Sequence, residues 1–239
     1  MTMKKFCSFF IVFLLFLPMN FSGLSKSLIR KILYRQKKSI RSSKQLIIVY
    51  SKKKKNLCEL VIVEKSKKRL IIKKRFHCSL GERGFSSYYQ KREGDLRTPS
   101  GVFNLSKAFG YHKTIQSKWP YQQCTKNDVF IDDSRSPDYN RWVTGKPRGY
   151  SYEIMRRQDH QYEAGLVIKY NMNPVKKRKG SAIFLHVWIS KDIPTVGCIG
   201  LSFKNVKTVL RWLKPKKNPK IIMGNLMELI NIRYERRKE

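Results

Sequence analysis

Two side chains in this sequence could serve as a nucleophile and its base: Cys198 and, twelve positions before it, His186. His186 closes an apolar run that begins at Ile183, and Cys198 follows the turn-forming stretch Pro194-Thr-Val-Gly197. A free thiol has a pKa near about 8.5, so only a few per cent is thiolate at neutral pH, and a nearby histidine supplies the missing base. The thiolate attacks an amide carbonyl, the imidazolium protonates the leaving amine, and a second nucleophile resolves the thioester. Gly197 permits unusual dihedrals and close backbone approach. The amide N–H groups around Gly197 and Cys198 are candidate donors to the developing oxyanion. This chemistry predicts a His186 nitrogen within hydrogen-bond range of Cys198 Sγ, at the floor of a groove. The competing reading is a structural cysteine, since cysteine is among the most buried residue types.

The elements that must position this pair are mostly strands. Residues 45–50, 57–64 and 69–78 are dense in Ile, Val and Leu, and Lys-rich turns separate them, which predicts an antiparallel meander. Leu60 to Val63 form a continuous apolar run, as expected of a strand covered on both faces. Residues 81–101 are loop-rich, and 102–105, 128–132, 165–170 and 182–189 are further strand candidates. After the cysteine, Phe203, Val206, Val209, Leu210 and Leu213 recur at helical spacing behind Ser202 as N-cap. Residues 221–223 suggest a late strand and 225–232 a short helix. The expected fold is mainly β with a few helices, one of them directly after the cysteine.

Composition sets the surroundings. The chain has 239 residues, 52 Lys and Arg against 16 Asp and Glu, and a formal net charge of +36. Between Lys26 and Lys55 there are twelve Lys or Arg and no acid, so residues 26–44 are expected to be a basic, flexible segment. Such a charge favours polyanionic partners, and anionic cell-envelope polymers are candidates. It equally fits compositional bias on solvated faces. Lys4 and Lys5, the apolar residues 6–18 and a polar stretch with Ser22 and Gly23 have the layout of a secretory signal over residues 1–25, cleaved or kept as an anchor. The chain is therefore expected to be exported to the periplasm or cell envelope, with membrane contact only through this segment. Export permits disulfides, and Cys58 and Cys78 lie on neighbouring candidate strands where they could pair. No nucleic-acid motif accompanies the charge, so no nucleic-acid partner is expected.

His186 through Ser202 resembles the catalytic segment of the L,D-transpeptidase (YkuD-type) family, in the branch with Pro-Thr-x-Gly-Cys before small and apolar residues. The resemblance extends upstream. Gly94-Asp-Leu-Arg-Thr-Pro-Ser-Gly-Val-Phe103 is similar to the family's Gly-Asp-x-(Arg/Lys)-Thr-Pro-x-Gly-x-Phe segment, and Ala108 to Tyr111, Asp132 to Asn140 and Tyr162 to Gly165 continue it. Covering about Tyr50 to Leu213, it implies an L,D-transpeptidase-type β-sandwich or barrel; the catalytic domain is expected over residues 45–225, followed by a basic tail at 226–239 that could carry a short helix. It further implies peptidoglycan stem peptides as substrates, Cys198 as nucleophile, His186 as base, Thr195 and Gly197 as support for the turn and oxyanion site, and no metal or organic cofactor. Two positions depart from the commoner pattern: Val196 stands where it has histidine, and Gly200 where it has Asn or Arg.

Trp188, Tyr139 and Arg156, with Arg157 beside it, are the candidate substrate contacts, the arginines for a stem-peptide carboxylate. Gly94, Asp95, Arg97 and Thr98 could line the cleft, or Asp95 could fix the turn before Pro99. The cysteines and histidines have no finger-like spacing, so no metal site is expected. Two other activities compete with acyl transfer to an amine. Water as acceptor would make the chain an amidase or carboxypeptidase on the same substrate. A basic module holding anionic wall polymer would have no use for the His186–Cys198 pair.

Overall fold

The computed structural model describes residues 23–52, 56–66, 69–87 and 89–231. Residues 1–22 of the leader expected at 1–25, and the residues from 232 onward, lie outside them. Helix α1 (Lys26–Arg35) precedes three long strands, β1 (Gln45–Ser51), β2 (Leu57–Lys65) and β3 (Leu70–Ser79). Two short strands follow, β4 (Phe85–Ser86) and β5 (Thr98–Pro99), then β6 (Gly101–Gly110) and β7 (Tyr121–Gln123). A small insert carries β8 (Asp128–Ile131), β9 (Trp142–Thr144) and β10 (Tyr152–Ile154). The chain then forms β11 (Ala164–Ile168), β12 (Phe184–Val187), β13 (Ile199–Leu201), α2 (Phe203–Trp212), β14 (Lys220–Asn225) and α3 (Leu226–Ile230).

The main sheet runs β11-β12-β13-β3-β2-β1-β14-β6-β7, and β6 also pairs back onto β11. Eight strands therefore close into a barrel, which removes the exposed edges that an open sheet would leave. The expected meander is present, with β1–β2 and β2–β3 antiparallel. Cys58 and Cys78 face each other in that ladder and form a disulfide.

Alternation along the strands sorts side chains into an inner and an outer set. Ile47, Val49, Leu60 and Ile62 point inward and join Leu166, Leu185, Ile199 and Leu201 in one core. Helix α2 supplies Val206, Val209, Leu210 and Leu213 to the same core. Leu46, Ile48, Tyr50, Val61 and Val63 form the outer set, and Ile29 and Ile32 of α1 and Leu229 of α3 cover them. This two-sided cover explains the unbroken apolar runs of β1 and β2.

The same packing corrects the flexible segment expected at 26–44. Ile29 and Ile32, one helical turn apart, bury against the outer face of β1 and β2, while Arg30 and Lys31 stay exposed. Ser25 caps the helix by accepting from the Leu28 N–H at 3.2 Å. The packing reaches back to Leu24, inside the stretch expected as leader: Leu24 is fully buried and its N–H donates to Tyr50 Oη at 3.0 Å. Among the described residues, no helix is long and apolar enough to cross a membrane.

Candidate active site

Strand register brings Cys198 and His186 to one face of the barrel. In the parallel β12–β13 pair, Leu185 lies opposite Ile199 and His186 opposite Gly200. Cys198, just before β13, therefore lies beside Phe184, and His186 sits one pleat repeat further along the same face. Strand spacing and rise put their Cα atoms on a diagonal of about 8 Å. Both side chains open on one cavity of ≈ 510 Å³. Its wall carries Lys91, Glu93, Asp132, Glu153 and Arg157, with Tyr162, Ser181, Thr195, Val196 and Gly197.

The hydrogen bond expected between the pair is not formed. Cys198 Sγ donates to the Ala182 carbonyl at 3.2 Å and accepts from the Phe184 N–H at 3.3 Å. His186 Nδ1 is 2.8 Å from the Val187 carbonyl. Since a carbonyl only accepts, the neutral ring carries its proton on Nδ1, and Nε2 is the basic nitrogen. The register sets the pair on a diagonal, and each side chain is held by backbone groups beside it. Catalytic hydrogen bonds are often long in unliganded enzymes. Here the two groups share one cavity.

Electrostatics keep both groups neutral at rest. Burial holds the Cys198 thiol well above its ordinary range, Glu153 adds to this, and the Phe184 N–H, Lys91 and Arg157 oppose it. Burial pushes His186 down to about 4, against the Val187 and Gln161 backbone contacts that favour its charged form. The ring of His186 is packed edge-to-face with Tyr162, at 5.2 Å between centroids and 80° between planes. Tyr162 is buried, and its hydroxyl donates to Glu153 Oε2. Burial raises the Glu153 carboxyl, although that hydrogen bond counters it. Arg157 lies 5.2 Å from the Tyr162 ring centroid and pairs with Asp159, whose carboxyl it holds well below the usual carboxylate range.

The turn into the cysteine is pinned by threonines. Thr195 Oγ1 donates to the Cys198 carbonyl at 2.7 Å and accepts from the Gly197 N–H at 3.2 Å. That second bond occupies the Gly197 amide, which sequence reasoning had offered to the oxyanion. Gly197 has φ 148°, and a Cβ there would come within 3.0 Å of the Arg97 carbonyl oxygen, so the turn requires glycine. Thr98 Oγ1 accepts from the Gly81 N–H at 2.9 Å and contacts the Cys198 carbonyl at 3.4 Å. Asp95 fixes its own turn, accepting from Lys91 Nζ at 2.6 Å and from the Arg97 N–H at 2.9 Å.

Three candidate substrate contacts lie away from the thiol's cavity. Strand β12 ends at Val187, and Trp188 is carried against β13 instead: a Cβ on Gly200 would lie 2.9 Å from Trp188 Cβ and 2.5 Å from Ser79 Oγ. This crowding also accounts for glycine at 200, where no Asn or Arg side chain has room. Tyr139 is buried, donating to Glu93 Oε2 and accepting from the Gly180 N–H at 3.0 Å, so it braces a carboxylate of the cavity wall without reaching the cavity. Arg156 faces a neighbouring cavity, while Arg157 lines both. Val196 is 72% exposed at the rim.

Sequence reasoning missed Lys91, Glu93, Asp132, Glu153 and Ser181 as cavity-wall residues. For Glu93, Asp132 and Glu153 the available signal was their charge: with 16 acids against 52 bases, an acidic side chain in this chain is a departure from its bias.

Residues 45–222 match the family model YkuD, L,D-transpeptidase catalytic domain. No curated protein matches. The solved structure of Bdellovibrio bacteriovorus Bd1075 is similar at 13% identity and a TM-score of 0.42, with 76% of this chain and 48% of that chain covered. The chain thus spans about half the length of that protein.

Proposed function

The chain belongs to the YkuD family of L,D-transpeptidase catalytic domains, and on that premise we propose that it is a cysteine acyltransferase of the cell envelope acting on peptidoglycan stem peptides. The observation that carries the reading is the opening of Cys198 and His186 on one cavity at paired strand ends. In the proposed reaction Cys198 Sγ loses its proton to His186 Nε2 as it attacks the carbonyl carbon of a stem-peptide amide. A C–S bond forms, and the tetrahedral oxyanion is met by the backbone N–H of Cys198, with Thr195 and Gly197 holding the turn. His186 returns the proton to the departing amine nitrogen as the C–N bond breaks. A second amine then attacks the thioester and releases Cys198.

Both groups start neutral, so the proton moves only when the thiol is brought to the base. That arrangement suits an exported enzyme, because a resting thiolate would be open to oxidation. Export itself is inferred from the residues before Gly23.

The test is incubation of purified protein with tetrapeptide fragments of peptidoglycan, followed by mass spectrometry of the products. Wild type should release the terminal residue and join the remainder to an amine, and Cys198→Ala should do neither. Product formation by Cys198→Ala would remove the mechanism.

A further inference from the structure

Acyl transfer needs a place for its second substrate. A second cavity, of ≈ 1140 Å³, adjoins the thiol's cavity, and Glu153 and Arg157 line both. Its wall differs in charge from the first: Lys126, Lys146, Arg156 and Arg157 stand against Glu153 and Asp159. Arg157 is already committed to Asp159, at 2.9 Å and 3.1 Å from Nε. Arg156 is held differently. Its Nη1 donates to the Tyr111 and Cys124 carbonyls, both at 3.2 Å, and its guanidinium lies 4.9 Å from the Tyr111 ring centroid. Among the described residues it has no carboxylate partner. A guanidinium oriented by neutral groups keeps its charge and part of its donor fork for an incoming anion, and the fork matches a carboxylate.

We propose that this second cavity binds the amine acceptor, and that Arg156 anchors a carboxylate of that acceptor. The proposal rests on the acyl-transfer reading above and adds the location and chemical class of the second substrate: an amino acid or peptide bearing both a free amine and a carboxylate. Arg156 on one side and Glu153 at the shared edge form a complementary pair for such a zwitterion. Glu153 meets the ammonium where the two cavities join, next to the thioester. Glu153 takes one proton from the ammonium, and the freed amine nitrogen attacks the thioester carbonyl carbon. The C–N bond forms, the C–S bond breaks, and the proton lost by the amine passes through His186 to the sulfur, leaving an amide and the free thiol. Water as acceptor has no use for the second cavity.

The experiment follows the fate of a preformed Cys198 acyl-enzyme. A tetrapeptide donor loads the thiol, and mass spectrometry measures transfer against hydrolysis while the acceptor is titrated. The acceptors are a free D-amino acid and its carboxamide, which has the amine without the carboxylate. Wild type should need about 10- to 100-fold more carboxamide than amino acid for half-maximal transfer, the worth of one charge-assisted hydrogen bond. Arg156→Gln should raise the requirement for the amino acid by a similar factor and remove the difference between the two acceptors. Arg156→Lys should fall between. Equal use of both acceptors by wild type, or an unchanged acceptor dependence in Arg156→Gln, overturns the proposal while leaving the acyl-enzyme intact. Failure of any donor to acylate Cys198 overturns the acyl-transfer reading, and the proposal with it. The wild-type comparison of acceptors stands even if the Arg156 variants do not fold.

Discussion

Cys198 rests as a thiol because burial disfavours its thiolate and the charge of Glu153 adds to that. His186 rests as a neutral base for the first of those reasons, held down to about 4. The base is therefore competent through the neutral range, and the acid limb of kcat/KM should fall near pH 4 instead of near the ordinary histidine value of about 6.5. His186→Gln should lower kcat by roughly 10²- to 10⁴-fold, the usual contribution of a positioned base. The same burial has a stability consequence. Below about pH 6.5 the unfolded chain binds a proton on this histidine that the folded chain refuses until about pH 4, so stability falls as pH falls through that window. The loss is about 3 kcal/mol at most. Urea denaturation at pH 7 and pH 4.5 should show a smaller pH-dependent loss in His186→Gln than in wild type, and equal losses would contradict a buried neutral ring. Cys198 and His186 stood out in the sequence because their types and spacing are distinctive, and the strand register brings both to one cavity. Glu153 did not, because a lone acid in the middle of a three-residue strand has no pattern of its own. Its meaning comes from Tyr162 and the cavity.

Helix α2 was legible nearly to the residue, since an apolar stripe, a serine cap and a following proline agree with one another. Ser202 Oγ accepts from the Asn205 N–H at 3.4 Å, and Ser202→Ala should cost about 1 kcal/mol in urea denaturation. Strand β13 carries a sharper constraint. Gly200→Ala places a methyl 2.5 Å from Ser79 Oγ and 2.9 Å from Trp188 Cβ, so the variant should lose roughly 1–3 kcal/mol as the strands shift. It should also lose activity, because Gly200 pairs with His186. Unchanged stability and activity would mean that Gly200 is not crowded. Helix α1 was hidden by its own charge: the block of lysines and arginines masked the apolar pair Ile29 and Ile32. The three-residue strands β9 and β10 were illegible for a different reason. They are too short for alternation to register, and they exist because β8 pairs with both.

At the scale of the whole molecule, the barrel separates two outer faces. The thiol's face, with Phe184 and Cys198, packs under the β8–β10 insert, while α1 and α3 cover the outer face of β1 and β2. Closure of β6 on β11 could not be read from sequence, because it joins segments more than fifty residues apart through a shifted register between Leu166 and Ile168. The Cys58–Cys78 disulfide ties β2 to β3 near the start of this ring. Replacing both cysteines with serine should cost about 3 kcal/mol, the entropy of a closed loop of this length, and leave Cys198 reactive. The proposed intermediate is covalent: a stem peptide joined to Cys198 Sγ as a thioester. Intact-protein mass spectrometry after acid quench of a tetrapeptide reaction tests it most directly. The expected result is a mass increase equal to the donor minus its released terminal amino acid, mapped to the peptide containing Cys198 and absent in Cys198→Ala. An unmodified Cys198 during turnover, or an adduct on any other residue, would contradict it.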